Sequence, residues 1–228
     1  MLCLLFFTAA AQAQTTFSIG PKVGFTASSV RLRDNAHYAS SAQYRTGFEA
    51  GLISTIGFGH WQLQPALLFS QKGYRFGFNS STFVGETDKV RLNYITIPLN
   101  LAYAQRPDGR GLQVVAGPYL GVLTGGNYEH QFIPIDPLGG ASPVISGSVS
   151  AAGQSGTTYT AHSQRVDAGL QAGLGYRTGS LLIQATYSLG LRDVGVGPDG
   201  YGPFNIVSPS YSNHAIQVSL AYLFSPKS

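Results

Sequence analysis

From Val166 to Tyr176 every second residue is apolar: Val166, Ala168, Leu170, Ala172, Leu174 and Tyr176, with Asp167, Gly169, Gln171, Gly173 and Gly175 between them. A two-residue period marks a β-strand, because successive side chains leave opposite faces of the chain. The alternation resumes after the turn-forming residues "RTGS" (Arg177–Ser180) and continues to Leu191, so the stretch reads as a hairpin. Periodicity alone does not say which of its faces meets water.

The same pattern recurs along the chain. Alternating runs cover Phe17–Ser28, Thr46–Phe58, Trp61–Gly73, Arg91–Ala104, Gly111–Gly125, the two arms of the Val166–Leu191 hairpin, and Asn213–Phe224. There is no helical 3.6-residue period of useful length, and no apolar stretch long enough for a membrane-spanning helix. Each run is longer than the about 5–6 residues of an average soluble strand and long enough to cross a bilayer at a tilt, which takes about 9–11. The connections are Val30–Arg45, Gly59–His60, Tyr74–Val90, Gln105–Arg110, Gly126–Ala161, Arg177–Ser180 and Arg192–Ser212. They alternate long and short throughout. An up-and-down barrel with short turns at one end and long loops at the other has this rhythm.

Three features decide which face is outside. Charged residues make up 11% of the chain, against about 25% in soluble domains, so a water-facing surface is undersupplied. One face of the runs carries Lys22, Glu49, Lys72, Asp167, Gln171 and Gln184 with many glycines, while the other is nearly uncharged. The aromatic residues of the uncharged face fall at its ends. Phe17, Phe58, Trp61, Tyr103, Tyr176, Tyr222 and Phe224 lie toward the short turns, and Phe25, Phe48, Phe69 and Tyr187 toward the long loops. Aromatic rings favour membrane interfaces, so these are two girdles. From Phe17 to Phe25 the height at a tilt of about 40° is about 20 Å, close to the apolar band of about 25 Å. The expected fold is all-β, an eight-stranded antiparallel up-and-down transmembrane β-barrel over residues 14–228. It lies in a bacterial outer membrane with both termini periplasmic and lipid around it. A soluble lipocalin-like ligand-binding barrel, with the faces reversed, is the alternative.

The N-terminal "MLCLLFFTAAAQAQ" is a short apolar run that ends in small residues, and "AQA" at Ala11–Ala13 fits a cleavage site. Residues 1–13 therefore read as a secretory signal peptide without a basic leader. The single cysteine, Cys3, lies inside it, so the mature chain has no thiol for disulfides, nucleophilic catalysis or metal binding.

The runs "LQPALLFSQKGY" (Leu63–Tyr74), "LNYITIPLNLAY" (Leu92–Tyr103), "AGPYLGVL" (Ala116–Leu123), "GLGYRTGSLLIQATYSLGL" (Gly173–Leu191) and "QVSLAYLF" (Gln217–Phe224) resemble the PorT-like, or porin-family, outer-membrane β-barrel proteins of Bacteroidota. The resemblance implies location and fold more firmly than activity. It also implies a link to secretion or gliding machinery, as for some members of that family. The long Gly126–Ala161 connection departs from the family pattern.

Candidate chemistry lies on the inward face. Eight strands enclose a space that side chains fill. Tyr94, Tyr119 and Gln64 point into it, while Gly20, Gly24, Gly51, Gly117, Gly121, Gly169, Gly173 and Gly175 leave room. A charge in a closed lumen needs a partner, so Glu49 or Asp167 is expected to pair with Lys22 or another interior base. Arg45, Arg177 and Arg192 are further candidates for the interior. No cofactor is expected, and no catalytic or metal residue is assigned: His37, His60, His130, His162 and His214 show no ligand spacing. Catalysis would require His130 with Asp136, or His162 with Asp167, and neither spacing is diagnostic. "GPDGYGPFN" (Gly197–Asn205) has a single carboxylate and reads as a solvated loop rather than a calcium site. The 14 basic residues are scattered, which excludes a nucleic-acid footprint. The expected role is non-enzymatic: structural, or interaction with other envelope proteins through the long loops. Passive porin-like transport of small solutes is the second reading.

Overall fold

A computed structural model describes residues 16–32, 42–79, 84–134, 144–151, 160–195 and 211–225. Residues 1–13 and Gly197–Asn205, read above as a signal peptide and a solvated loop, lie outside the described residues. The strands are β1 (Thr16–Leu32), β2 (Gln43–Phe58), β3 (Trp61–Asn79), β4 (Val84–Ala104), β5 (Gly111–Pro134), β6 (Val144–Ala151), β7 (Thr160–Ser163), β8 (Val166–Thr178), β9 (Leu181–Gly190) and β10 (Tyr211–Tyr222). Eight of them close a barrel in the order β1-β2-β3-β4-β5-β8-β9-β10, and β10 returns to β1. Every pairing around the ring is antiparallel. Closure removes the free edges that lipid would leave without hydrogen bonds.

The other two strands belong to an extension at the long-loop end. The lower part of β5, Gly111–Val122, pairs with β8, whereas its upper part, Gly126–Gln131, pairs with β6. β7 then adds to β6 in parallel. The connections read as loops at Tyr74–Val90 and Gly126–Ala161 therefore carry strand at 74–79, 84–90, 126–134, 144–151 and 160–161. The β3–β4 register runs unbroken from Lys72↔Leu92 to Asn79↔Gly85. Apolar alternation records where lipid covers one face; beyond that level the ladder continues, but no lipid demands an apolar side chain.

The barrel is inverted relative to a soluble core. Leu52, Val114 and Leu170 are 53%, 56% and 53% exposed, while Gln64, Gln113 and Asp167 inside are fully buried. That distribution overturns the soluble lipocalin-like alternative, whose apolar face must point inward. The aromatic residues sit at the two ends of the apolar band. Phe58, Trp61 and Tyr103 are adjacent across β2, β3 and β4, and Tyr222 packs on Phe224 at 4.9 Å. At the opposite end Phe25 faces Phe48, which packs on Phe69 at 5.7 Å. Tyr187 lies opposite Ile216 on the same outer face.

The inward glycines leave less room than the sequence suggests. A Cβ on Gly173 would stand 2.1 Å from the Ala185 carbonyl oxygen and 2.7 Å from Thr186 Cα, and those on Gly51, Gly117 and Gly169 would meet neighbouring backbone just as closely. Such glycines let strands bend toward one another at the small barrel radius. Gly173→Ala is expected to destabilise the barrel by about 1–3 kcal/mol, the usual cost of overpacking, as a lower urea midpoint.

Candidate functional site

Inward side chains fill the barrel at three levels. Nearest the short turns is a chain of glutamines from β3, β5 and β9. Gln184 Nε2 donates to Gln64 Oε1 at 2.9 Å, and Gln64 Nε2 donates to Gln62 Oε1 at 3.1 Å and Gln113 Oε1 at 3.0 Å. Gln113 Nε2 donates to the Gly109 carbonyl at 2.8 Å, so the β4–β5 turn folds in beneath them. Beside this layer the buried Arg177 donates to Ser18 Oγ at 3.2 Å.

The middle level holds the Lys22–Glu49 pair, 3.4 Å apart and both buried. Glu49 Oε1 makes no hydrogen bond among the described residues, so this is an ionic contact without alignment. Gln171 Nε2 donates to Asn100 Oδ1 at 2.9 Å, and Thr186 Oγ1 to Gln217 Oε1 at 3.0 Å.

The upper level is centred on Asp167. Lys72 Nζ donates to its Oδ2 at 2.9 Å, Asn213 Nδ2 donates to the same oxygen at 3.2 Å, and Tyr119 OH approaches both oxygens at 3.3 and 3.4 Å. The Lys72 ammonium also lies 4.4 Å from the centre of the Tyr119 ring and 5.5 Å from that of Tyr94, where the ring faces supply further negative potential. Above this hub Val30, Val194 and Tyr211 form one buried apolar cluster, and Leu92, Tyr94, Leu123, Val149 and Ala151 form another. The strand β6 supplies Val149 and Ala151, so the extension helps roof the lumen.

Parity on the strands places Lys22, Glu49, Lys72, Asp167, Gln171 and Gln184 on the inward face, and the structure joins each to a partner. Parity did not single out Asn213 or Gln62 as partners; the signal was their inward position opposite residues already noted. Arg177 is inside, but Arg192 is exposed and Arg45 is half-buried at the rim, which corrects their assignment to the interior. His60 and His214 pack on tyrosines, His60 on Tyr103 and His214 on Tyr44. His130 Nδ1 is paired with Asp88, and Asp136 lies outside the described residues. Asp167 is bonded to Lys72, and the side chain of His162 lies outside the described residues. No group of three metal-ligating side chains occurs among the described residues.

Basic residues scattered in sequence converge on the outer face just beyond the long-loop girdle. Arg75 faces Lys89 across β3–β4, and Gly73 faces Arg91. A bulge in β2 between Tyr44 and Glu49 accompanies the placement of the Arg45 side chain against Gly73. Burial, then repulsion from Arg91 and Arg75, lower the pKa of Arg45 from its ordinary value, and Glu129 acts the other way. Glu129 is itself 3.4 Å from Lys89.

A closed eight-stranded barrel with an apolar exterior, aromatic girdles and a polar, filled interior is an outer-membrane β-barrel. The chain belongs to the family described as Outer membrane protein beta-barrel domain, whose model matches residues 11–195; this family places it in the bacterial outer membrane. Among solved structures it is similar to Ail, the attachment invasion locus protein of Yersinia pestis, at 14% identity over 92% of this chain and 99% of that chain, with a TM-score of 0.40. It is also similar to Neisserial surface protein A at 12% identity over 92% and 99%, TM-score 0.43. OprG from Pseudomonas aeruginosa matches at 12% identity over 93% and 97%, TM-score 0.36. None of the curated proteins matches the sequence.

Proposed function

We propose that this protein is a non-conducting, non-enzymatic outer-membrane barrel. It acts by presenting its extension beyond the long-loop girdle to other envelope components, with both termini in the periplasm. The observation that carries this reading is the lumen: three levels of buried, mutually bonded side chains, roofed by apolar clusters, occupy the space a solute would need. Most of the inward glycines, the one feature that favoured transport, lie against neighbouring backbone: a Cβ at Gly20, Gly24, Gly51, Gly117, Gly169 or Gly173 would meet it. Resemblance to the PorT-like family supports a place beside secretion or gliding machinery within that reading.

The expected result in a planar bilayer is no steady conductance from the folded protein, and a steady open channel would return transport to the front. A C-terminal epitope tag should be hidden from antibody on intact cells, whereas a tag within β6 should be accessible.

A further inference from the structure

We propose that Arg45, Arg75, Arg91 and Lys89 form a binding site for the phosphate groups of a phosphorylated outer-leaflet lipid. This rests on the outer-membrane reading above and adds to it a specific lipid contact.

Height is the first argument. Phe69 faces Ile95 across β3–β4, and Phe69 belongs to the long-loop girdle. Arg91 is four residues further along β4, which at a tilt of about 40° puts it about 10 Å beyond that pair. The headgroup zone begins at the girdle, and a long arginine side chain reaches back toward it. Direction agrees with height. Lys72, Leu92 and Tyr94 share the inward face, so the alternate positions Gly73, Arg75, Arg91 and Lys89 face outward, toward the lipid boundary.

Charge agrees as well. Arg91 and Arg75 both repel Arg45, with Lys89 beside them, and they are met on this face by one acid among the described residues, Glu129. Like charges brought this close are relieved by an anion. The Arg91 Nε–H is buried and has no hydrogen-bond partner among the described residues, which leaves a donor for an incoming oxyanion. Guanidinium groups match phosphate oxygens in a fork geometry that a point cation does not. A bilayer supplies such phosphates at this depth.

The test is native mass spectrometry of the full chain released from micelles. The probes are an acylated diglucosamine lipid with two phosphates, the same lipid without phosphates, and inorganic phosphate. The expected result is retention of the bisphosphorylated lipid about tenfold stronger than of its dephosphorylated form, and loss of that preference in R45Q/R75Q/R91Q. R165Q, which removes an exposed arginine elsewhere, should bind as the wild type does. If the triple variant does not fold, R75Q/K89Q should still weaken retention about threefold. Equal retention of the two lipids, or inorganic phosphate held as well as the lipid, would overturn the proposal. Heat-modifiable gel migration separates the cases: a barrel that folds and inserts but binds no lipid sinks this inference alone, while a chain that fails to insert sinks the outer-membrane reading.

Discussion

Asp167→Asn is expected to destabilise the folded barrel by about 3–5 kcal/mol, the cost of leaving a buried charge without its counter-ion. The substitution keeps the shape and leaves an oxygen for Tyr119 and Asn213, so the loss falls on Lys72. That ammonium is buried, and its one carboxylate partner among the described residues is Asp167 at 2.9 Å. The rings of Tyr119 and Tyr94 soften the loss but do not neutralise it. Urea unfolding from lipid vesicles, followed by the fluorescence of the single tryptophan, Trp61, reads the change. Trp61 sits in the short-turn girdle, away from the substitution, so its signal reports the whole barrel. The double variant Lys72→Met with Asp167→Leu should recover most of the loss, because removing both charges leaves nothing unpaired. A change below about 1 kcal/mol in the single variant would mean that water, not Asp167, carries Lys72.

The pairing that this experiment probes was only half legible in the chain. Parity along Val166–Tyr176 was enough to put Asp167 opposite the lipid-facing Leu170 and Leu174, and parity along Trp61–Gly73 did the same for Lys72. Eight alternating runs with connections of alternating length were enough for a closed antiparallel barrel. What parity does not carry is shear. Lys22 meets Glu49 diagonally on the neighbouring strand, but Lys72 meets Asp167, 95 residues away on a strand that does not pair with its own, because of the stagger of the strands. That stagger is set by hydrogen-bond register around the whole ring.

The extension was invisible for a different reason. Residues such as Lys89, Glu129 and Ser148 pair across β4, β5 and β6 as regularly as the lipid-facing residues do. Their composition is polar because the apolar band of the bilayer ends at the girdle, so a pattern built on apolar residues stops where that band stops. The basic cluster follows from the same ladder. Arg45, Arg75 and Arg91 are far apart in sequence, and only the pairing of β3 with β4 and the bulge in β2 bring them together.

Leu99→Arg is expected to cost about 2–4 kcal/mol in a lipid vesicle, and Tyr103→Arg about 0–1. Both residues lie on the outer face of β4 and are similarly exposed, at 45% and 47%. They differ in depth. Leu99 is the middle member of the outward series Ile95, Ile97, Leu99, Leu101 and Tyr103, halfway between the level of Phe69 and the short-turn girdle. An arginine there must draw water or headgroups into the apolar band, whereas at Tyr103 it reaches the interface directly. On a water-exposed surface neither substitution would matter much, since exposure is equal and no charged neighbour distinguishes them. The contrast between the two therefore reports the solvent itself. Urea midpoints that fall only for Leu99→Arg place lipid against this face, and equal midpoints would remove the membrane from the description.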